Sequence, residues 1–207
     1  MRQPSLIVIV MLCSLAAPAV AGTPLPDGSF EQGTPPASGW AEVSDHTCEW
    51  IGDHSGTWYV SAYDGTQDFW AAGYCLDDVS GQNEPVSTSV SQTLVVPADS
   101  TLLSFYYIAF RTAADDMPAD GDHAYVAVNG AEVWTLPLTS DSNTYPSWVG
   151  PVVVDLAAWG GQSVTLSRGG VSVGAETGNL RFDLLTFEDS PTPVEGASWG
   201  AVKALYR

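Results

Sequence analysis

The segment Ser89–Arg111 constrains the fold more than any other part of the chain. In its first half, residues 90–96, apolar and polar side chains nearly alternate, which is typical of a strand with one buried face. Pro97 and the three residues after it have turn chemistry. Leu102–Phe110 then carries apolar side chains on both faces, so both faces must be covered. The segment therefore predicts that 102–110 is the central strand of a sheet in a layered all-β domain.

Short β-prone runs separated by turn signals occupy most of the remaining chain. They are 57–63, 69–74, 123–128, 131–138, 148–155, 163–167 and 180–187. The pair Asn129-Gly130 is favoured in two-residue hairpin turns, because both positions of such a turn take positive φ. No stretch of ten residues before Pro191 has a convincing helical period. The pattern predicts one all-β domain over residues 22–189, a jelly-roll β-sandwich of two antiparallel sheets.

The charge of the chain excludes two classes of partner. It has 24 acidic and 6 basic residues, for a formal net charge of −18. Binding to nucleic acid requires Lys and Arg that neutralise phosphates, so we expect no nucleic-acid partner and no adsorption to an anionic membrane. A hydrophobic content of 45% and eight Trp indicate a packed domain rather than an acidic disordered chain. The composition is typical of a soluble extracellular protein and is compatible with calcium binding.

Residues 1–21 have the pattern of a secretory signal peptide. Arg2 gives a charged start, residues 6–15 are mostly apolar, and Ala19-Val20-Ala21 provides a small-residue cleavage site. The apolar run is too short to span a membrane. We therefore expect a secreted protein, extracellular or at the cell surface, without a membrane span.

Cleavage after residue 21 leaves two cysteines, Cys48 and Cys75. In an oxidising compartment the expectation is a single disulfide between them. It would close a loop of roughly 27 residues and stabilise the fold by about 3 kcal/mol. His46 and His54, near Cys48, leave a zinc site as an alternative with irregular ligand spacing.

Three segments resemble the galactose-binding-like jelly rolls, a fold shared by many carbohydrate-binding modules of secreted bacterial proteins. Asp27-Gly28-Ser29-Phe30-Glu31 followed by Trp40 resembles the opening of the family, and residues 89–107 resemble its Val-Ser-Gln, Val-Pro-Ala-Gly and Leu-Ser-Phe run. The segments that resemble its closing strands are 154–156, 161–166 and 180–185. The resemblance covers about residues 26–188. It implies a non-catalytic module that binds carbohydrate or another cell-surface ligand.

The same resemblance implies a structural calcium ion that ties the first strand to the last. In these jelly rolls the ion is bound by the acid of the Phe-Glu opening and an acid of the closing strand. These positions correspond to Glu31 and Asp183, and Asp27 is close enough in sequence to contribute. Asp27 replaces the family's Asn, and Leu184 stands where the family often has a second Asp. A competing site is the acidic loop that contains Asp115, Asp116, Asp120 and Asp122.

Three aromatic residues are candidate ligand contacts. Trp58, Tyr63 and Trp70 lie beside turn residues, among them Asp64-Gly65. Sugar rings stack their apolar faces on exposed aromatic side chains, while carboxylates and amides bind their hydroxyls. Large aromatic residues also fill protein cores, so a packing role remains the alternative at each position.

A catalytic function has weaker support in the sequence. Residues 196–200 (GASWG) have the spacing of a hydrolase nucleophile elbow, but Pro191 and Pro193 precede the motif and no His follows it. A carboxylate pair for glycoside hydrolysis cannot be selected among so many acids. The sequence therefore favours a non-catalytic binding module. The alternatives are a structural or adhesive extracellular domain without a small ligand, and a polysaccharide hydrolase.

Residues 190–207 form a Pro-containing linker and a short tail. Trp199, Val202 and Tyr206 fall near one helical face. The ending Trp-Gly…Lys-Ala-Leu-Tyr-Arg resembles the ends of secreted proteins of some environmental bacteria, which implies a tag read by an export or attachment system. A tail that packs on its own domain, or on nothing, is the alternative.

Overall fold

A computed structural model describes residues 23–44, 50–72, 86–110, 121–172 and 178–189. Within these residues the chain forms eleven strands in two antiparallel sheets. In chain order the strands are β1 (Thr23–Pro24), β2 (Ala41–Ser44), β3 (Ile51–Gly52), β4 (Asp68–Ala72), β5 (Val86–Val95), β6 (Leu102–Phe110), β7 (His123–Val128), β8 (Ala131–Pro137), β9 (Val149–Asp155), β10 (Ser163–Ser172) and β11 (Asn179–Glu188). The predicted fold class, an all-β sandwich of two antiparallel sheets, is confirmed.

The two sheets differ in size and strand order. One has six strands in the order β3-β4-β11-β6-β9, with β1 alongside the end of β11. The other has five strands in the order β2-β5-β10-β7-β8. Its longest ladder pairs β5 with β10 over ten residues, from Ser163 opposite Val95 to Ser172 opposite Val86. None of the helices among the described residues is long and apolar enough to cross a membrane.

Strand β6 has the bounds that its sequence predicts, 102–110. It is an interior strand between β11 and β9, while β11 occupies the middle of the six-stranded sheet. Leu103 and Phe105 point into the core between the sheets. Ile108 and Phe110 are buried as well, although they do not belong to that core. Both faces of β6 are therefore covered, as the sequence pattern indicates.

The predicted hairpin turn is confirmed, and one predicted strand is wrong. Asn129 and Gly130 have φ of 51° and 80°, and they join β7 to β8. The run 57–63 does not form a strand. Ser55–Trp58 is instead one helical turn, and Tyr59 follows in the left-handed region with φ of 54°. The backbone that follows is held by side chains of the neighbouring sheet rather than by a strand ladder, as shown below.

Several sequence predictions fall outside the described residues. They concern the signal peptide 1–21, the tail 190–207, the cysteine pair Cys48 and Cys75, and Asp115, Asp116 and Asp120 of the acidic loop. Asp122, at the end of that loop, is buried and accepts a hydrogen bond from the backbone N–H of Gly178 at 3.2 Å.

Candidate functional site

Residues 53–67 lie over the outer face of the six-stranded sheet, and we call them the covering loop. Phe69 of β4 and Phe182 of β11 stack on each other in the core, 6.1 Å apart. Since side chains alternate along a strand, their neighbours Asp68 and Arg181 point to the opposite face. Both are nevertheless buried, with 0% of their surface exposed, because the covering loop lies above them.

Arg181 and Asp68 form a buried ion pair that holds the loop. Arg181 Nε donates to Asp68 Oδ1 at 2.9 Å, and Nη2 donates to Oδ2, so the pair is bidentate. The remaining terminal nitrogen, Nη1, donates to the backbone carbonyl of Val60 at 2.7 Å. His54 Nδ1 lies 2.8 Å from Asp68 Oδ1. The sheet thus binds the first half of the covering loop through charge-assisted contacts.

Trp148 holds the next residue of the loop. Its ring lies 5.3 Å from the guanidinium carbon of Arg181, and its Nε1 donates to the carbonyl of Ser61 at 3.1 Å. The carbonyls of Val60 and Ser61 are therefore bound by two side chains that also contact each other.

Two carboxylates hold the second half of the loop. Asp183 Oδ2 accepts from the backbone N–H of Asp64 at 2.8 Å. Glu31 Oε1 accepts from the N–H groups of Thr66 and Gln67, at 2.8 and 2.7 Å. The covering loop has little regular secondary structure, yet its backbone from Val60 to Gln67 is bound at five residues by side chains of the sheet, by Trp148 and by Glu31. Such a loop presents its exposed side chains in one arrangement, and a ligand need not order them.

A small pocket opens on the covering loop. Its volume is about 80 Å³, which admits one edge of a sugar ring rather than a whole drug-sized molecule. Gly65 has φ of 69°, and a Cβ there would lie 2.4 Å from Glu31 Cδ, so the position requires glycine. The lining residues are Asp53, Ser55, Ala62, Gly65, Ser61 and Thr66.

Asp53 provides the one carboxylate among the lining residues. Its side chain is exposed, and Oδ1 accepts from the backbone N–H of Ser55 at 2.9 Å. Hydrogen bonds from the Ser55 hydroxyl and backbone lower the pKa of Asp53. The carboxylate is therefore ionised at neutral pH.

The covering loop carries two exposed aromatic rings, those of Tyr59 and Tyr63. Tyr63 is 43% exposed and stacks on Tyr106 of β6, with the ring centres 3.6 Å apart and an angle of 14° between the planes. A hydrogen bond with Tyr63, together with burial, raises the pKa of Tyr106 to about 12. Trp148 meets Tyr63 edge-on at 6.2 Å. Tyr59 is 90% exposed. A ring fixed by stacking on one face offers the rest of its surface to a ligand.

The three predicted ligand residues lie in different environments. Tyr63 is exposed, as described above. Trp70 is half-buried, with Nε1 donating to Asn179 Oδ1 at 2.9 Å and its ring edge-on to that of Trp50, which corresponds to the packing alternative. Trp58 ends the helical turn, and its side chain is not among those the structure describes.

Sequence reasoning did not select Tyr59 or Asp53 as ligand residues. The place of both residues depends on the covering loop meeting β11, which lies more than 100 residues further along the chain. The only local signal was the turn chemistry of Asp64-Gly65, and these two residues lie in the covering loop.

Two of the predicted calcium ligands, Glu31 and Asp183, bind the covering loop. Together with Asp27 they do not form a compact group of metal ligands. Burial raises the pKa of Asp183 to about 7 and also raises that of Asp27. Asp27 Oδ1 accepts from the N–H of Gln32 at 3.0 Å, whereas Oδ2 is buried without a hydrogen bond in the described structure. Among the described residues, no three His, Cys, Asp or Glu side chains gather as a metal site. The calcium ion at Glu31, Asp183 and Asp27 stays a prediction.

Neither protein-family models nor curated proteins match this sequence. Solved structures do match. One is the carbohydrate-binding module TmCBM61 in complex with β-1,4-galactotriose, at 15% identity and a TM-score of 0.53, covering 82% of this chain and all of the other. Another is the family 11 carbohydrate-binding module of the cellulase Lic26A-Cel5E of Clostridium thermocellum, at 9% identity and a TM-score of 0.45, covering 83% and 96%. A Stig cyclase from Fischerella sp. TAU matches at 13% identity and a TM-score of 0.48, covering 84% and 100%. The chain has a β-sandwich fold like that of carbohydrate-binding modules, and at these identities the likeness concerns the fold.

Proposed function

We propose that the protein is a non-catalytic carbohydrate-binding module whose site is the covering loop. The observation that carries the proposal is Tyr63, an exposed ring on a loop whose backbone is held in place. Close to it in the same loop is a pocket that offers a carboxylate and three hydroxyls. Stacking on an aromatic ring and hydrogen bonds from polar groups are the two contacts that a shallow sugar site requires.

A binding role is also supported by the fold and by the chemistry of the pocket. TmCBM61, which shares the fold, was solved with a bound galactotriose. Glycoside hydrolysis uses two carboxylates that flank the scissile bond. The pocket is lined by one, Asp53, while Glu31 and Asp183 are engaged in holding the loop. This arrangement favours binding over catalysis.

Replacing the exposed ring tests the proposal. Tyr63→Ala should weaken retention of the protein by a glycan in affinity electrophoresis by up to about tenfold, since stacking on one aromatic is worth roughly 0.5–1.5 kcal/mol. A glycan array selects the glycan beforehand. Tyr125→Ala, on the five-stranded sheet, is the matched control and should leave retention unchanged. Equal effects of the two variants, or no binding to any glycan on the array, would favour a structural or adhesive domain, and hydrolysis of a dye-linked polysaccharide would favour an enzyme.

We also propose a structural calcium ion held by Glu31 and Asp183, with Asp27 contributing. A cation near a buried carboxylate such as Asp183 would stabilise its ionised form, and calcium accepts backbone carbonyls beside carboxylates. Calcium should then raise the unfolding midpoint, and a chelator should lower it. Glu31→Gln and Asp183→Asn should each abolish the shift. A midpoint that does not respond to chelator contradicts the ion, and a response lost only when Asp115, Asp116 and Asp120 are replaced assigns it to the acidic loop.

We further propose that the protein acts outside the cell, with Cys48 and Cys75 joined. Alkylation without reductant should leave the intact mass of the secreted protein unchanged. Uptake of two alkyl groups would contradict the disulfide.

We propose that the tail 190–207 is a tag read by an export or attachment system. Truncation before residue 190 should then change the distribution of the protein between cells and medium, while glycan binding persists.

A further inference from the structure

The surface that the structure describes carries no lysine or arginine. The only such residues within the described part of the chain are Arg168 and Arg181, which are 1% and 0% exposed. Carboxylates, in contrast, are exposed around the covering loop, at Glu31, Asp53 and Asp64. An anionic ligand would therefore meet like charge at this surface and find no cationic side chain to bind it.

Within the pocket, the hydrogen of the Thr66 hydroxyl is already committed. The Thr66 hydroxyl donates to Glu31 Oε2 at 3.1 Å. A hydroxyl that has donated its single hydrogen retains only its lone pairs. The Thr66 oxygen thus faces a ligand as an acceptor.

Two backbone N–H groups at the pocket are occupied as well. The N–H of Ser55 donates to Asp53 Oδ1 at 2.9 Å, and that of Thr66 donates to Glu31 Oε1 at 2.8 Å. Asp53 itself is an ionised acceptor with a second oxygen, Oδ2. Asp53 and the Thr66 hydroxyl therefore face a ligand as acceptors, and this part of the lining favours a ligand group that supplies donors.

We infer that this pocket selects sugars that carry a free protonated amine, accepts neutral sugars through their hydroxyls, and rejects uronic acids and sulfated sugars. An ammonium group brings three donors and no acceptor, together with a charge opposite to that of Asp53. A neutral hydroxyl brings one donor. An ionised acid brings acceptors alone, beside like charge. This inference rests on the proposed function, because it assigns a ligand class to the same site.

Oligosaccharides that share one backbone separate these ligand classes. A fully deacetylated chitosan hexamer and its N-acetylated counterpart differ only in the amine, and an oligogalacturonate represents the acidic class. Affinities are measured by calorimetry at fixed ionic strength, with the amine protonated. The deacetylated hexamer should bind on the order of fivefold more tightly than the acetylated one, the size expected for one exposed ion pair. The oligogalacturonate should show no binding.

The charge-matched variants Asp53→Asn and Asp99→Asn distinguish the pocket from the overall charge. Both side chains are exposed and both variants remove one negative charge, but Asp99 lies in the link between β5 and β6. Asp53→Asn should abolish the preference for the amine and retain binding of the acetylated hexamer, whereas Asp99→Asn should keep the preference. Unchanged thermal midpoints confirm that both variants fold.

Three results would overturn the inference: equal losses in the two variants, no preference in the native protein, or binding of oligogalacturonate. The proposed function survives each of them if a neutral glycan still binds in a manner that depends on Tyr63. The proposed function is contradicted together with the inference only if no glycan binds the covering loop.

Discussion

Two buried arginines occupy opposite kinds of environment in this molecule. Arg181, on the outer face of β11, uses its guanidinium for a bidentate pair with Asp68 and for the carbonyl of Val60. Arg168, on β10, lies in the interior against the rings of Phe30 and Trp40, with its guanidinium carbon 4.7 and 4.1 Å from their centres. No nitrogen of its guanidinium makes a hydrogen bond to the described residues.

The difference shows what each charge contributes. Burial lowers the pKa of Arg168, and the nearest carboxylates, Asp183 and Asp27, act on it without a direct hydrogen bond. Its contacts attach residues of the N-terminal segment to the five-stranded sheet by stacking. Arg181 instead connects the six-stranded sheet to the backbone of the covering loop. Of the two, only Arg181 has a hydrogen bond to the covering loop, although both side chains are fully buried.

The largest expected effect is that of Arg181→Met. It leaves Asp68 buried without its cation, which typically costs 3–5 kcal/mol. It also frees the carbonyl of Val60, so glycan binding should weaken in conditions where the variant is folded. The free energy of unfolding in denaturant measures the first effect. Adding Asp68→Leu should recover much of the stability without restoring binding, and a double variant no more stable than Arg181→Met would contradict this account of the pair.

A smaller effect is expected from Asp183, which lies two residues after Arg181 and interacts electrostatically with Arg168. Burial raises its pKa from 3.8 to about 7. In this range the folded state therefore holds a proton that the unfolded state has lost. The contribution of Asp183 to the free energy of unfolding therefore falls by at most about 4 kcal/mol as the pH rises from about 4 to about 7. Above that pH it is constant.

Comparing the native protein with Asp183→Asn in chelator isolates this contribution from that of the other acids. The free energy of unfolding is measured at both ends of the pH range. The native protein should lose more stability on raising the pH than the variant does. Identical pH dependence of the two proteins would show that Asp183 titrates near its ordinary pKa.

The smallest expected effect is that of Arg168→Met. The substitution removes two cation–π contacts, but it also removes a buried charge that has no direct hydrogen bond, and it keeps an unbranched side chain against the two rings. Replacing buried charges by apolar side chains of similar volume is often neutral or stabilising. We expect the free energy of unfolding to stay within about 1 kcal/mol of the native value. A loss as large as that of Arg181→Met would remove the contrast between the two arginines.

The sequence by itself determined most of the sheet structure. Alternation along 90–96 and the doubly apolar run 102–110 predicted β5 and β6, and Asn129-Gly130 predicted the β7–β8 hairpin. These features are local, because the pattern of side chains along a strand reflects which faces are buried. The turn chemistry of Asp64-Gly65 is local too, and both residues lie in a loop of the structure.

Only the tertiary structure decided what that neighbourhood became. The run 57–63 has the composition of a strand, but contacts with Arg181 and Trp148 hold it as part of a loop, and Asp183 binds the next residue, Asp64. Likewise nothing local distinguishes Tyr63, which is exposed, from Trp70, which packs, or Arg181 from Arg168. These outcomes depend on side chains that are distant in sequence and meet only when the two sheets form, since burial and pairing are properties of the assembled neighbours.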